Sequence, residues 1–346
     1  MQDPDPDAPA AGYGLDRDAL IPTTFAVPAR ARRLVTVRDA AALPALLEEA
    51  RGGPLFVLGG GSNVLFTRDY PGTVLRLATR GIELVGEHAG RGRVRVAAGE
   101  NWDAFVRWSL AQGFAGLENL VLIPGTVGAA PIQNIGAYGV EFSDFAAAVE
   151  VLDRASGRFV ELPASDCGFA YRNSLFKREP ERYVVTAVVL ELPRERALRL
   201  DYRGVREELA AMGVGTPAHT DVARAVERLR LRKLPDPARL GNAGSFFKNP
   251  VVTEARARML RGRYPDLPVH PAGDAAHAKL SAAWLIEACG FKAHRDGDTG
   301  VSEKHALVLV NYGSASGADV WRLAGRIRAA VRERFDLDLE PEPVIV

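Results

Sequence analysis

The chain has 346 residues, of which 47% are apolar and 25% charged, and a formal net charge of +1 at neutral pH. That length allows two or three domains around a sizeable core, and near-neutrality argues against general nucleic-acid binding, which needs a basic excess over a whole face. The two cysteines, Cys167 and Cys289, lie far apart with no CxxC or His-rich company, which argues against a disulfide framework or a structural zinc and for a reducing compartment.

The first stretch, "MQDPDPDAPAAGYGLDRD", is acidic and rich in Pro and Ala, without the basic and apolar regions of a signal peptide. It reads as a disordered tail, with residues 1–22 expected to lie outside the fold. No apolar run approaches the length of a membrane span, so a cytoplasmic protein is expected. From Leu34 the text reads strand, short helix around Pro44 to Ala50, and strand over Pro54 to Gly59, a compact βαβ unit. Strand-like "TVLRLAT", "IELVGE" and "RVRVAAGE" follow. A helix from Asn101 carries Trp102, Phe105, Val106 and Leu110 on one face and stops at Gly113. "AAVEVLD" and "RFVELPA" form a hairpin through Ala155-Ser156-Gly157, followed by "YVVTAVVLEL". The C-terminal third turns helical: Thr220 is expected to cap "DVARAVERLRLRK", and helices fit Thr253 to Arg263, Ser281 to Cys289 and Ala318 to Phe335. His305 reads as a residue entering the strand "HALVLVN". The fold class expected is α+β.

Five stretches carry chemistry. "VLGGGSNVLF" sets Gly59, Gly60 and Gly61 before Ser62 and Asn63; such glycines suit φ > 0 and amides that converge on an anion, and equally suit a plain turn. It matches neither the dinucleotide fingerprint nor a Walker loop. In "GLENLVLIPGTVGAAPIQNIGAYGVEF", Gly125, Gly128, Gly136 and Gly139, with Ala129 and Ala130, offer a smooth lining for a flat ring system, with Gln133 and Asn134 offering amide groups to its edge, and equally suit a buried loop packed by small residues. Arg172 in "AYRNSLFK" suits a carboxylate. "RLRLRKLPDP" supplies Arg230 and Lys233 for a phosphate or carboxylate, while Arg224, Arg228 and Arg232 read as a solvated face. In "GNAGSFFKNP", Ser245 stands in the narrowest part of a glycine-lined turn, as a nucleophile, a proton donor or a buried turn residue. No G-x-S-x-G frame supports a serine hydrolase, and no metal-ligand spacing occurs.

Taken with "KLSAAWLIEACGFK", "ALVLVN" and "LEPE", these blocks resemble the UDP-N-acetylenolpyruvoylglucosamine reductase family, in order from about Thr23 to Glu342. The resemblance implies a two-part FAD-binding region of the vanillyl-alcohol-oxidase type, over 23–79 and 80–227, and a smaller α+β substrate domain over 228–346 whose last strand returns to the active site. It implies non-covalent FAD held by Gly59 to Asn63 and by the Gly116 to Val140 segment, including Thr126, Ala137 and Tyr138. NADPH is the implied co-substrate, using one pocket in turn with the sugar nucleotide. The matching catalytic residues are Arg172, Ser245 as proton donor, and Glu342. Tyr202 in "LDYRG" falls at the place of the Tyr borne on the family's substrate-covering loop, and Arg230, Lys233, Asn249 and Lys279 match substrate contacts. No membrane, nucleic acid or obligate protein partner is implied.

The chemistry implied suits these residues. Hydride delivered to the terminal carbon of an enolpyruvyl ether leaves negative charge that spreads onto the adjacent carboxylate, which Arg172 stabilises. A second anion at Glu342 opposes that charge, so Glu342 is expected as the neutral acid or hydrogen-bonded to Arg172. Ser245, fixed near the carbanionic carbon, needs only a positioned O–H. Two rivals are an FAD oxidase of the same cofactor fold, which has no need of Ser245, and a non-catalytic sugar-nucleotide binding protein, which binds no flavin.

Overall fold

The structure, a computed structural model, describes residues 12–346. Two compact units divide the chain. The first comprises the chain up to Ala19, Ala31–Gly60 and Pro71–Arg230; the second comprises Leu20–Arg30, Gly61–Tyr70 and Leu231–Val346. Each is α+β.

The first unit holds two sheets. One runs Tyr13–Leu20, Arg30–Val37, Tyr70–Leu77, Leu55–Leu58 in spatial order. Leu55–Leu58 lies parallel to Tyr70–Leu77, with Val57 opposite Leu75. The expected βαβ unit is present with that extra strand inserted between its two strands. Its helix, Leu43–Glu49, starts with Pro44 in the first turn, where a missing N–H costs nothing, and buries Leu43 and Leu46 against Val35, Val37, Leu75 and Leu77. The second sheet is antiparallel, in the order Arg158–Pro163, Ala146–Asp153, Tyr183–Pro193, Arg91–Ala97, Ile82–His88. Its hairpin closes at Asp153–Arg158, with Gly157 N donating to Asp153 O at 2.8 Å. Asn101 caps the helix Trp102–Ala111 by accepting from Ala104 N at 2.9 Å, and the helix lays Trp102, Phe105 and Val106 into the main core of this unit.

Two expectations are corrected here. Tyr13–Leu20 is a strand, not part of a tail; its residues are mostly exposed, so backbone pairing and not apolar burial holds it, and no hydrophobic alternation announces it. The remainder of the expected tail, 1–11, lies outside the described residues. Thr220 does not cap a helix: the helix runs His219–Lys233, Thr220 lies inside its first turn, and Asp221 Oδ2 accepts from Ala218 N at 3.0 Å.

The second unit is built from three stretches far apart in sequence. Gly241–Ser245, Val308–Asn311, Thr299–Val301 and Arg295–Asp296 form one antiparallel sheet, and Val251–Thr253, His277–Leu280 and Val269–Pro271 form another. The chain's end, Val344–Ile345, lies parallel to Val64–Leu65. Helices Ala282–Ala288 and Gly317–Phe335, capped by Ser281 and Ser316, pack Leu285, Ile286, Val320, Ile327 and Val331 with Phe25, Phe246 and Phe247 in its core. The strand expected at "HALVLVN" starts later, at Val308, and His305 stands in the turn before it.

Candidate active site

In the first unit the glycine segments meet as backbone against backbone. A methyl group on Gly60 would stand 2.8 Å from Gly125 Cα, and one on Gly59 would stand 2.5 Å from Thr126 Oγ1. Of the glycine triplet only Gly61 has positive φ, at 65°. Gly59 and Gly60 are therefore required for close approach rather than for left-handed geometry, which corrects the sequence expectation. Beside them Thr126 Oγ1 is buried without a hydrogen-bond partner in the protein. Buried polar atoms are nearly always satisfied, so this hydroxyl fits a bound group that presents polar atoms to the Gly125–Ala129 turn, as FAD does.

The segment continues as a small hairpin, Gly136–Ala137 against Val140–Glu141, in which Tyr138 is left-handed with φ 50°. Arg172 rests on it, its Nη2 donating to Gly136 O at 2.9 Å. Arg172 is itself left-handed, φ 52°, in a turn closed by the Ala170–Asn173 pairing, and Lys177 Nζ donates to its carbonyl at 3.3 Å. Ser174 Oγ, donating to Ile132 O at 2.6 Å, ties this turn to the glycine-rich loop. Non-glycine residues held in the left-handed region cost of order 1–3 kcal/mol and gather at functional sites. Here Leu122, Asn134, Tyr138 and Arg172 all do so.

Asn134, expected as a cofactor contact, is tied into the scaffold. Its Nδ2 donates to Glu141 Oε2 at 2.9 Å and Ala170 O at 3.3 Å, and its Oδ1 accepts from Ser143 N at 2.9 Å. The buried amide uses both donors and one lone pair to join the loop to the Arg172 turn, which leaves one acceptor site on Oδ1. Gln133, at the surface beside it, is partly exposed.

Tyr138, Tyr202 and Arg230 come together in this unit. The two rings meet edge to face with centroids 4.9 Å apart, and Tyr202 remains half exposed. Burial pushes the Tyr138 phenol up and the nearby Arg230 opposes that. Burial likewise pulls Arg230 below the usual guanidinium range, against the pull of Tyr138 and Asp103, and its Nε is buried without a partner. A desolvated cation with an unused donor is suited to an anionic ligand.

In the second unit Ser245 ends a strand with an irregular register. Gly241 and Asn242 stand opposite Asn311 and Val310, but Ser245 stands opposite Val308, so the ladder breaks at Ala243–Gly244. Gly244 takes φ 69°, and its N donates to Asn242 Oδ1 at 2.9 Å. Asn242, nearly fully buried, anchors the break by donating to Pro235 O and Leu240 O at 3.2 and 2.8 Å. Beyond Ser245 the chain pairs with the C-terminal segment: Glu342 N donates to Phe246 O at 2.8 Å, Phe247 bridges Pro341, and Lys248 N donates to Glu340 O at 3.0 Å. The Lys248 ammonium pairs with the Glu340 carboxylate. Glu342 thus bonds to Phe246, the residue after Ser245. Asn63 joins it, with Nδ2 donating to Glu342 O at 3.3 Å and its own carbonyl accepting from Val344 N at 3.0 Å.

Asn249 Oδ1 accepts from Ala282 N at 3.0 Å, fixing the start of a helix, while Lys279 lies on the strand opposite Val251. Lys233 is exposed at the end of its helix.

Comparison with known proteins then decides the family. Residues 31–163 match the family model described as FAD binding domain, and residues 236–346 match the one described as UDP-N-acetylenolpyruvoylglucosamine reductase, C-terminal domain. A UDP-N-acetylenolpyruvoylglucosamine reductase from Xanthomonas axonopodis pv. citri is 53% identical over 344 residues, covering 98% of each chain. The protein of that name from Xanthomonas oryzae pv. oryzae is 54% identical over 325 residues, 93% of this chain and 96% of the relative. This chain belongs to the UDP-N-acetylenolpyruvoylglucosamine reductase family. The crystal structure of the reductase from Thermus caldophilus is 28% identical, covers 96% of this chain and 99% of its own, and superposes with a TM-score of 0.67. The family's α+β fold, an FAD-binding region and a smaller α+β part, accounts for the two units.

Two residues that shape these local geometries escape sequence reading. Asn242 builds the Ser245 turn, yet reads as one more turn residue in "GNAGS". Glu118, almost fully buried, accepts from Gly116 N at 2.6 Å and contacts His219 Nδ1 at 2.8 Å, across 101 positions of sequence that no local pattern bridges.

Proposed function

We infer that this protein is an FAD-dependent oxidoreductase that uses NADPH to reduce UDP-N-acetylglucosamine enolpyruvate to UDP-N-acetylmuramate, a step of peptidoglycan precursor synthesis. Bound FAD supplies the hydride, after its own reduction by NADPH. Gly59, Gly60 and the Gly125–Ala129 turn, with the unpartnered Thr126 hydroxyl, would hold it without a covalent link.

The chain's own residues take the remaining roles. Arg172, fixed on Gly136 O, stabilises the charge that develops on the substrate carboxylate. Ser245 delivers a proton to the carbon left carbanionic by hydride addition, and Glu342 completes the acid side of the site. Arg230, with its unused buried donor, and Lys233, Asn249, Lys279 and Tyr202 engage the sugar nucleotide. The observation that carries the assignment is the Ser245 turn itself. A left-handed glycine and a buried Asn break the ladder just before Ser245, and the next residue, Phe246, accepts from Glu342 N. The proposed division of the chain is 23–79, 80–227 and 228–346, with the strand Tyr13–Leu20 joined to the first part. The cytoplasm is the proposed compartment, supported by two free cysteines; among the described residues no helix is long and apolar enough to cross a membrane.

Stopped-flow measurement of the two half-reactions tests this. Ser245→Ala should leave flavin content and flavin reduction by NADPH near normal and slow reoxidation by the enolpyruvyl sugar nucleotide by several orders of magnitude. If alanine slows both half-reactions alike, or neither, Ser245 is not the acid.

A further inference from the structure

The strand opposite Ser245 is delivered by a compact turn over Ser302–Leu307. Val308 N donates to His305 O at 3.0 Å, Ser302 N donates to Val308 O at 2.8 Å, and Lys304 N donates to Ser302 Oγ at 3.2 Å. At the centre of this turn the His305 ring folds back on its own backbone, and Leu307 N donates to His305 Nδ1 at 3.2 Å. The carbonyl of the same Leu307 accepts from Phe246 N at 2.8 Å, and the next residue, Val308, stands opposite Ser245. One residue therefore separates the imidazole from the backbone that carries Ser245.

A backbone N–H only donates, so Nδ1 holds a lone pair and the ring proton sits on Nε2. We infer that His305, in this neutral tautomer, is a positioning residue for Ser245: its Nδ1 holds Leu307, and Leu307 holds the Phe246 end of the Ser245 turn. The inference rests on Ser245 being the proton donor. An imidazolium carries protons on both nitrogens and cannot accept, so protonation would leave the N–H of the buried Leu307 without its acceptor and release the turn. The surroundings favour the neutral ring. Burial pushes the His305 pKa down, and Lys233 at the end of its helix and Lys292 after the helix Ala282–Ala288 push the same way, opposed by Glu287 on that helix.

Two substitutions in the flavin-loaded protein separate this role from simple packing. His305→Phe fills the ring's space without an acceptor; His305→Asn restores one, because an Asn side-chain oxygen accepts the N–H two residues on, and it does not titrate. The Phe variant should slow reoxidation by the enolpyruvyl sugar nucleotide roughly ten- to a hundredfold, as expected for a displaced reacting group, with NADPH reduction of the flavin unchanged. The native enzyme should lose reoxidation rate below the ordinary histidine range; the Asn variant should recover most of the rate the Phe variant loses and show no such fall. Amide hydrogen exchange at Leu307 and Phe246 should rise in the Phe variant and return in the Asn variant. An Asn variant as slow as the Phe variant, or one that keeps the native acid limb, overturns the inference. Should the Phe variant not fold, the Asn pH profile and its exchange rates still decide it. Normal reoxidation by Ser245→Ala overturns the reading of Ser245 instead, and the exchange at Phe246 then shows separately whether His305 holds the turn.

Discussion

Gly244→Ala isolates the backbone geometry of the Ser245 turn from its chemistry. A methyl group at Gly244 would meet nothing within 4 Å, so sterics from neighbours contribute no cost. The residue's φ of 69° does. A left-handed conformation costs an L-residue about 1–2 kcal/mol. Against this, alanine reduces the unfolded chain's freedom and returns about 0.4–1 kcal/mol. If the turn holds its shape, the net loss is about 1 kcal/mol, a fall of about 2–4 °C in melting temperature. If the turn relaxes instead, the hydrogen bond from Gly244 N to Asn242 Oδ1 is lost and Ser245 moves. A displacement of about 1 Å at a reacting group costs on the order of a hundredfold in rate. Differential scanning fluorimetry and stopped-flow reoxidation read the two outcomes, and flavin reduction by NADPH should be normal in both. An Ala variant with native melting temperature and native reoxidation would refute the argument that left-handed geometry places Ser245.

Other predictions follow from the same structure. Gly60→Ala should lower flavin content, measured by absorbance after gel filtration, because its methyl group would stand 2.8 Å from Gly125 Cα, where neither backbone can yield cheaply. Arg172→Ala should raise the barrier to substrate reduction by about 3–4 kcal/mol while the flavin still accepts hydride from NADPH; equal loss in both half-reactions would make Arg172 a scaffold residue. Asn134→Ala should destabilise the first unit by about 1–3 kcal/mol in urea unfolding, since it leaves Ser143 N without its acceptor and removes the amide's bonds to Glu141 and Ala170. Stability should fall with acid in two windows. His305, held below its usual 6.5 by burial, is neutral in the fold while the unfolded chain takes up a proton, so stability drops as pH falls below 6.5. Asp298, held below 3.8 by hydrogen bonds from Ser314 N and Oγ, and Asp319, held below 3.8 by Ser316 Oγ and N, contribute stability above that value and lose it below.

The parts of this protein that sequence reading recovers are those whose physics is local. The start of a helix at Asn101, the strands of the five-stranded sheet, and a Gly beside Ser245 each act through neighbours within a few residues. Asn134 is only half legible for the same reason. In sequence it is an amide in a glycine-rich loop, and only the fold shows that Glu141, Ala170 and Ser143 already use its hydrogen bonds. Tyr13–Leu20 misleads in the opposite sense, since an exposed edge strand held by backbone pairing has no side-chain pattern to read.

What remains illegible is set by contact distance along the chain. The second unit closes only because Gly61–Tyr70 returns to the C-terminal segment: Asn63 Nδ2 reaches Glu342 O and Thr67 Oγ1 reaches Val346 O, each across 279 positions. Such pairings carry a large closure entropy and leave no periodic trace, so the apolar runs alone cannot say which of them share a core. They also explain why the site is built as it is. Ser245 gains its geometry from a break in one ladder, and that ladder is fixed on its far side by the Leu307 turn and on its near side by Glu340–Glu342. A hydroxyl with little acidity of its own could serve in the acid role proposed for Ser245 only if its position is over-determined, and here backbone from two distant stretches supplies that constraint.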